Sequence, residues 1–161
     1  MSEIKKGFEP FYNSDSRLLV LGSFPSVKSR QTEFYYGNPQ NRFWKTVAEF
    51  FGEAPPVSLE DKKQFLLRRR IALWDVVTEC EIVGSQDATI KNFIVADVQN
   101  LLQKLKIGLI IINGGKAAAI FEKNFPQIGA PYIKLPSTSP ANTRFDKEKW
   151  FDALSRIFDR A

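Results

Sequence analysis

Leu18-Leu19-Val20-Leu21 is the stretch on which the fold turns, because four apolar side chains in succession leave it no polar face. A strand of that kind must be covered on both sides, as strands in the middle of a parallel sheet are. Leu109-Ile110-Ile111-Ile112 repeats the pattern, Tyr132-Ile133-Lys134-Leu135 reads as a further strand and Ile71-Ala72-Leu73 as a short one. Between them the spacing turns helical: Phe43, Val47 and Phe50 with Trp44 and Phe51 on the flank; Val98, Leu101, Leu102 and Leu105; Ala117, Phe121 and Phe125; Trp150, Leu154, Ile157 and Phe158. Each set is one apolar stripe for a sheet to cover. Asp97 and Asp146 stand where helix caps belong, and Ser58 to Arg70 supplies another helix with Phe65 and Leu66 inward. Buried strands alternating with helices predict an α/β fold, a three-layer α/β/α sandwich around a mostly parallel central sheet. No repeat or long linker interrupts the pattern, and Pro55-Pro56 reads as an internal loop, so residues 1–161 are expected to form a single domain.

Composition narrows the chemistry. Among 161 residues there are no histidines and one cysteine, which removes histidine-based triads, histidine zinc sites, disulfide frameworks and cysteine metal clusters together. Neither a metal nor a cofactor is expected. Cys80, with no histidine to activate it, reads as a small buried filler. The 23 Lys plus Arg exceed the 18 Asp plus Glu by five, a mild excess that suits a polyanionic partner without demanding one. Met1 to Pro10 carries four charges and no apolar run, unlike a signal or transit peptide, and no stretch approaches the ~18 apolar residues of a membrane span. A monomer in the reducing cytoplasm is the expectation.

The polar residues collect directly after the strands, where open α/β sheets hold ligands in a crevice at their carboxyl ends. Gly22-Ser23-Phe24-Pro25-Ser26 follows the first strand, Trp74-Asp75 the short one, Asn113-Gly114-Gly115-Lys116 the next and Pro136-Ser137-Thr138-Ser139-Pro140-Ala141-Asn142 the last. Gly114-Gly115-Lys116 is not a phosphate loop: Ala117 stands where Ser or Thr is required and the upstream glycine is absent. Asn113 can both donate and accept toward a heterocycle edge, though a structural cap would look the same. In Phe34-Tyr35-Tyr36-Gly37-Asn38-Pro39-Gln40-Asn41-Arg42-Phe43-Trp44, Phe43 and Trp44 lie on the helical stripe, whereas Tyr35 and Tyr36 precede it and could offer a base a flat wall.

Four blocks together, Gly-Ser-Phe-Pro-Ser from Gly22, Tyr-Tyr-Gly-Asn-Pro-Gln-Asn-Arg-Phe-Trp-Lys from Tyr35, Ala-Leu-Trp-Asp-Val-Val from Ala72 with Gly84-Ser85 and Asp87, and Leu-Pro-Ser-Thr-Ser-Pro-Ala-Asn from Leu135, resemble the uracil-DNA glycosylase superfamily. The resemblance runs from about Arg17 to the C-terminal helix. It is nearest to the hypoxanthine-DNA (deoxyinosine) glycosylases and next to the mismatch-specific thymine/uracil glycosylases. It implies a DNA base-excision repair enzyme that hydrolyses the N-glycosidic bond of a flipped, deaminated base, with hypoxanthine as the expected base and damaged DNA as the partner. In the mismatch-specific branch the first loop carries an Asn that positions the attacking water, and this chain has Phe24 there. In the hypoxanthine branch that role passes to the Asn before Phe-Trp, which is Asn41, with Ser23 beside it. The resemblance further implies base contacts from Phe24, Tyr36 and Asn113, and DNA contacts from Ser137, Thr138, Ser139, Asn142 and Arg144. Other branches place a histidine in the last loop, a group this chain lacks.

The chemistry is intelligible from the residues alone. Extruding a nucleotide costs a few kcal/mol, which stacking on an aromatic ring offsets in part. Bond cleavage then builds positive charge on the sugar and negative charge on the departing base, so donors must face the base and a water must sit beneath the sugar. An amide carbonyl can hold that water in line, and a monofunctional, water-using enzyme follows. The rival readings are a mismatch-specific glycosylase, a DNA binder of the same fold without catalysis, and an α/β protein binding a small nucleotide. Arg68-Arg69-Arg70, with Lys62 and Lys63, reads as a solvated helix face away from the strand-end loops.

Overall fold

The computed structural model describes residues 2–83 and 90–161; Gly84, Ser85 and Asp87 lie outside the described residues. Four strands, β2 (Leu18–Gly22), β3 (Ile71–Asp75), β6 (Leu109–Asn113) and β7 (Tyr132–Leu135), form a parallel sheet in the order β3-β2-β6-β7. The two wholly apolar runs are its two central strands, and every residue of both is buried. Alternation along the strands divides the core in two. Leu18, Val20, Leu73, Leu109 and Ile111 face α2 (Phe43–Phe50), α3 (Leu59–Arg68) and α6 (Lys147–Leu154), which contribute Phe43, Phe50, Phe65, Trp150 and Phe151. Leu19, Leu21, Ala72, Ile110 and Ile112 face α4 (Val98–Lys104) and α5 (Gly115–Asn124), which contribute Val98, Leu101, Ala117 and Phe121. The expected three layers are therefore present, with the expected helices on the two faces. Asp97 and Asp146 cap α4 and α6 through bonds from Asn100 N and Glu148 N.

A second sheet was not legible in the sequence. β1 (Ser2–Lys6), β4 (Val77–Val83) and β5 (Ile90–Val95) form a three-stranded antiparallel sheet in the order β1-β4-β5. Register shifts between Val77 and Glu81 break the two-residue alternation of β4, so Val77 and Cys80, three apart, are both buried in the core beside β3. A bulge of this kind hides a strand from pattern reading. Helix α1 (Val27–Thr32) was also missed: it buries only Ser29 and so carries no apolar stripe, but Ser26 caps it by accepting from Ser29 N. The outer edge of β3 is closed by Phe11, which exchanges two backbone hydrogen bonds of 2.9 Å with Leu73. Among the described residues no helix is long and apolar enough to cross a membrane.

The chain leaves β2 toward β3 and arrives at β6 on the other side of β2, so the connections diverge above the β2–β6 pair. That divergence opens a crevice at the carboxyl ends of the strands.

Candidate active site

The crevice is a cleft of about 330 Å3 lined by all four strand-end segments: Gly22 to Ser26, Asp75, Asn113 and Ser137 to Ala141, with Ser29, Tyr35, Tyr36, Asn38 and Asn41 as the remaining wall. Of the residues expected in the site, Ser23, Phe24, Tyr36, Asn41, Asn113, Ser137, Thr138 and Ser139 all meet there. Asn142 and Arg144 lie just beyond, at the end of the last loop.

The first loop needs a glycine at its base. A Cβ on Gly22 would stand 2.6 Å from Asp75 Oδ1 and 3.3 Å from the Tyr36 hydroxyl, so two polar side chains converge in the space this residue leaves. Phe24 is 5% exposed and belongs chiefly to the core on the α4–α5 face, with the Arg30 guanidinium 5.7 Å from its ring centre. It also lines the cleft wall. Helix α1 then carries the chain to the aromatic run, where buried Ser29 Oγ accepts from Gly37 N at 2.9 Å.

Tyr36 adopts φ 52°, a left-handed conformation that side-chain-bearing residues rarely take. Its ring stacks on buried Phe43 at 4.5 Å, and its carbonyl accepts from Trp44 Nε1 at 3.1 Å. The hydroxyl is buried and makes no hydrogen bond of good geometry among the described residues. Burial first, then the Asp75 charge, raise its pKa well above the ordinary phenol value, against a smaller opposing effect of the Asn113 amide. Tyr35 is shifted the same way by burial and by Asp75, and its hydroxyl donates to Glu9 O at 2.7 Å.

Asn41 sits where the aromatic loop turns into α2, half-buried at the cleft wall, and its Oδ1 accepts from Phe43 N at 2.9 Å. It therefore satisfies the first N–H of α2 from the residue before the N-cap, Arg42. The amide oxygen has a second acceptor position, which that bond leaves for a water.

Asn113, at the end of β6, is 8% exposed and clasps the last loop: Nδ2 donates to Thr138 Oγ1 and Oδ1 accepts from Thr138 N, both at 3.0 Å. Thr138 is 1% exposed, so it fastens the loop and offers no surface to a phosphate. Arg42 straps the same loop from outside, with Nη1 donating to Ser139 O at 2.9 Å and Asn142 O at 3.0 Å and its backbone N–H donating to Thr138 O. Ser137 Oγ, Ser139 Oγ and Asn142 Oδ1 each accept a backbone N–H two residues on, forming a chain of tight local turns. Arg144 is exposed at the end of this chain.

Two residues of consequence were quoted in the sequence without a role. Asp75 ends β3 and is 5% exposed in the cleft. The signal was present, since a carboxylate closing a buried strand is costly to desolvate and needs a reason. Arg42 gave no such signal, because its partners are carbonyls nearly a hundred residues away. The Arg68–Arg70 cluster lies at the opposite end of the sheet: Arg70 directly precedes β3, and Arg68 and Arg69 pair with Glu53. Among the described residues no acidic or cysteine cluster could hold a metal ion. The cleft can offer hydroxyl and amide groups, one carboxylate and an aromatic wall to a flat polar ligand.

The family model described as the uracil DNA glycosylase superfamily matches residues 9–158. The chain is 38% identical over 148 residues to a protein of Methanosarcina acetivorans named hypoxanthine DNA glycosylase, covering 91% of this chain and 93% of that one. A protein of the same name from Methanosarcina barkeri is 29% identical over 156 residues, covering 94% and 99%. A solution NMR structure of a Methanosarcina acetivorans protein superposes with a TM-score of 0.83 at 35% identity, covering 96% of this chain and 98% of that one.

Proposed function

The chain belongs to the uracil DNA glycosylase superfamily, and on that premise we propose that it is a monofunctional DNA glycosylase that excises hypoxanthine from DNA. The observation that carries this reading is the near full-length similarity to two proteins named hypoxanthine DNA glycosylase. The site's form supports it, since each of the four blocks on which the family likeness rests contributes to the cleft, through Gly22 to Ser26, Tyr35 to Asn41, Asp75 and Ser137 to Ala141. A cleft of about 330 Å3 has room for an extruded base.

In this reading the target nucleotide leaves the stack and its base enters between Tyr36, Asn113 and the Ser137–Ala141 loop. Asn41 Oδ1, holding Phe43 N with one lone pair, accepts a water with the other and aligns it beneath C1′. The water oxygen bonds C1′ as the C1′–N bond breaks, the bonding pair departs with the base, and the water proton passes to solvent or to the base. Positioning rather than strong base catalysis carries the step, because the sugar is already cationic in the transition state. Ser23 lies beside that water path. Ser137, Ser139, Asn142 and Arg144 meet the backbone, with phosphates offsetting the sugar charge. The protein acts as a monomeric, single domain.

A panel of labelled oligonucleotides carrying hypoxanthine, uracil, a thymine mismatch or xanthine, treated with protein and then alkali, tests the assignment. Hypoxanthine should be released fastest. Faster release of uracil would move the protein to the mismatch-specific branch.

A further inference from the structure

We propose that Tyr36 meets the extruded base with its hydroxyl rather than its ring face, and that this hydroxyl and the Asp75 carboxylate select a base edge bearing a carbonyl next to a ring N–H. The inference rests on the glycosylase reading and goes beyond the stacking role that the family likeness implies for Tyr36. Phe43 already occupies one face of the Tyr36 ring at 4.5 Å. The hydroxyl, by contrast, belongs to a residue of the cleft wall and is buried with no hydrogen bond of good geometry among the described residues; the neighbouring Asn113 amide can only donate to its oxygen, which leaves its own proton without an acceptor. A buried donor left unpaired is costly, and a ligand that supplies the missing acceptor recovers that cost. The backbone at Tyr36 is held at φ 52°. Conformations of this kind persist where the surroundings enforce a particular side-chain placement. Gly22 completes the arrangement, since any larger residue there would collide with Asp75 Oδ1 and crowd the hydroxyl.

The two groups differ in what they can do. Burial and the Asp75 charge keep the phenol protonated, so it is able to donate. A carboxylate only accepts. Hypoxanthine presents O6 beside N1–H, which matches a donor beside an acceptor. Adenine presents an amino group beside a bare N1, the reverse pattern, and a bare nitrogen facing a carboxylate is repelled. Sites built from buried polar groups reject the mismatched pattern by large factors. Uracil carries the same carbonyl and N–H edge, so the pair separates deaminated bases from their amino parents and does not separate hypoxanthine from uracil. Guanine shares the edge too, and its exclusion falls to its 2-amino group and to its pairing with cytosine, which holds it in the stack.

Single-turnover release from matched duplexes carrying hypoxanthine, adenine or unsubstituted purine opposite cytosine tests this. Tyr36→Phe keeps the ring and its contact with Phe43. It should lower hypoxanthine release by on the order of a hundredfold, the scale for one lost donor, while purine, which has no O6, is released at the wild-type rate or is equally slow with both proteins. Asp75→Asn introduces an N–H that suits a bare N1 and should raise adenine release relative to hypoxanthine by about tenfold or more. Folded variants that retain hypoxanthine release within about twofold, or lose all three substrates in equal proportion, would overturn the proposal. If Asp75→Asn does not fold, the hypoxanthine-to-purine comparison with Tyr36→Phe decides alone. Wild-type protein that binds the hypoxanthine duplex but releases no base would overturn the glycosylase reading and this one with it; normal wild-type release with unaffected variants overturns this one only.

Discussion

At Asn41, Oδ1 accepts the Phe43 N–H that opens α2, and the proposed function asks the same oxygen to hold the water. Substitutions separate the two. Asn41→Ser retains a cap, whereas Asn41→Ala loses it at about 1 kcal/mol of stability. If the oxygen holds the water, Asn41→Ala lowers single-turnover excision on the order of a hundredfold, Asn41→Ser is also strongly impaired, and binding to damaged DNA changes much less. Normal excision by Asn41→Ser, with Asn41→Ala failing only through a lower melting temperature, would reduce Asn41 to a cap. Asn41→Asp should keep partial activity, because its carboxylate can hold a water yet repels nearby phosphates. Gly22 is as exacting a position: the methyl of Gly22→Ala would fall 2.6 Å from Asp75 Oδ1. That variant should keep its secondary structure by circular dichroism and lose most excision, because Asp75 and Tyr36 have to move apart.

The element that depends most on distant support is the last loop. Its own Ser and Asn turns are local, but Asn113 from β6 and Arg42 before α2 hold it over the cleft. Arg42→Ala removes both Nη1 bonds, so amide exchange at Asn142, whose N–H is bonded to Ser139 O, should accelerate while the β2 and β6 amides stay protected. Excision should fall with it. At the far end of the sheet α3 is tied by Arg68 and Arg69 to Glu53. Burial tends to raise the Glu53 pKa, but the hydrogen bonds and charges of the two arginines outweigh it and hold the carboxyl below its ordinary value. The folded state therefore favours the ionised form, and the resulting stability is present above the ordinary carboxylate pKa and lost as pH falls through the depressed one. These groups are partly exposed, so the stake is at most about 1 kcal/mol. Urea denaturation of Glu53→Gln should show that deficit at pH 7, shrinking as the pH falls through the depressed Glu53 pKa, with excision at pH 7 unchanged.

Over the whole molecule, the net charge of +5 suits a polyanion, and the response to salt counts the phosphates that the protein neutralises. The logarithm of the DNA association constant should fall linearly with the logarithm of salt concentration, by roughly 0.9 per phosphate neutralised. A complex indifferent to salt would count against DNA as the substrate. Water as the nucleophile leaves no covalent intermediate, so borohydride should trap no protein–DNA adduct; a trapped adduct would point instead to a lysine.

What the amino-acid sequence determined by itself was the central sheet, its covering helices and the end of the sheet at which the candidate cleft lies. Leu18–Leu21 and Leu109–Ile112 are apolar without interruption, and hydrophobic burial leaves such strands no position except between two layers. Local chemistry was equally legible at Asp97 and Asp146, where a cap needs only its own neighbours. The antiparallel sheet was not, since β4 is bulged, β5 leaves Phe93 and Ile94 exposed, and strand pairing is a contact between segments that no local pattern encodes. The division of labour inside the site was likewise decided by tertiary structure. Thr138 becomes a fastening because Asn113 reaches it from another strand, Arg42 a strap because two carbonyls of the last loop come within its reach, and Asp75 a cleft residue because Gly22 on the neighbouring strand leaves room beside it. Residue type states what a side chain can donate or accept; which partner it spends that capacity on is set by the packing of distant segments.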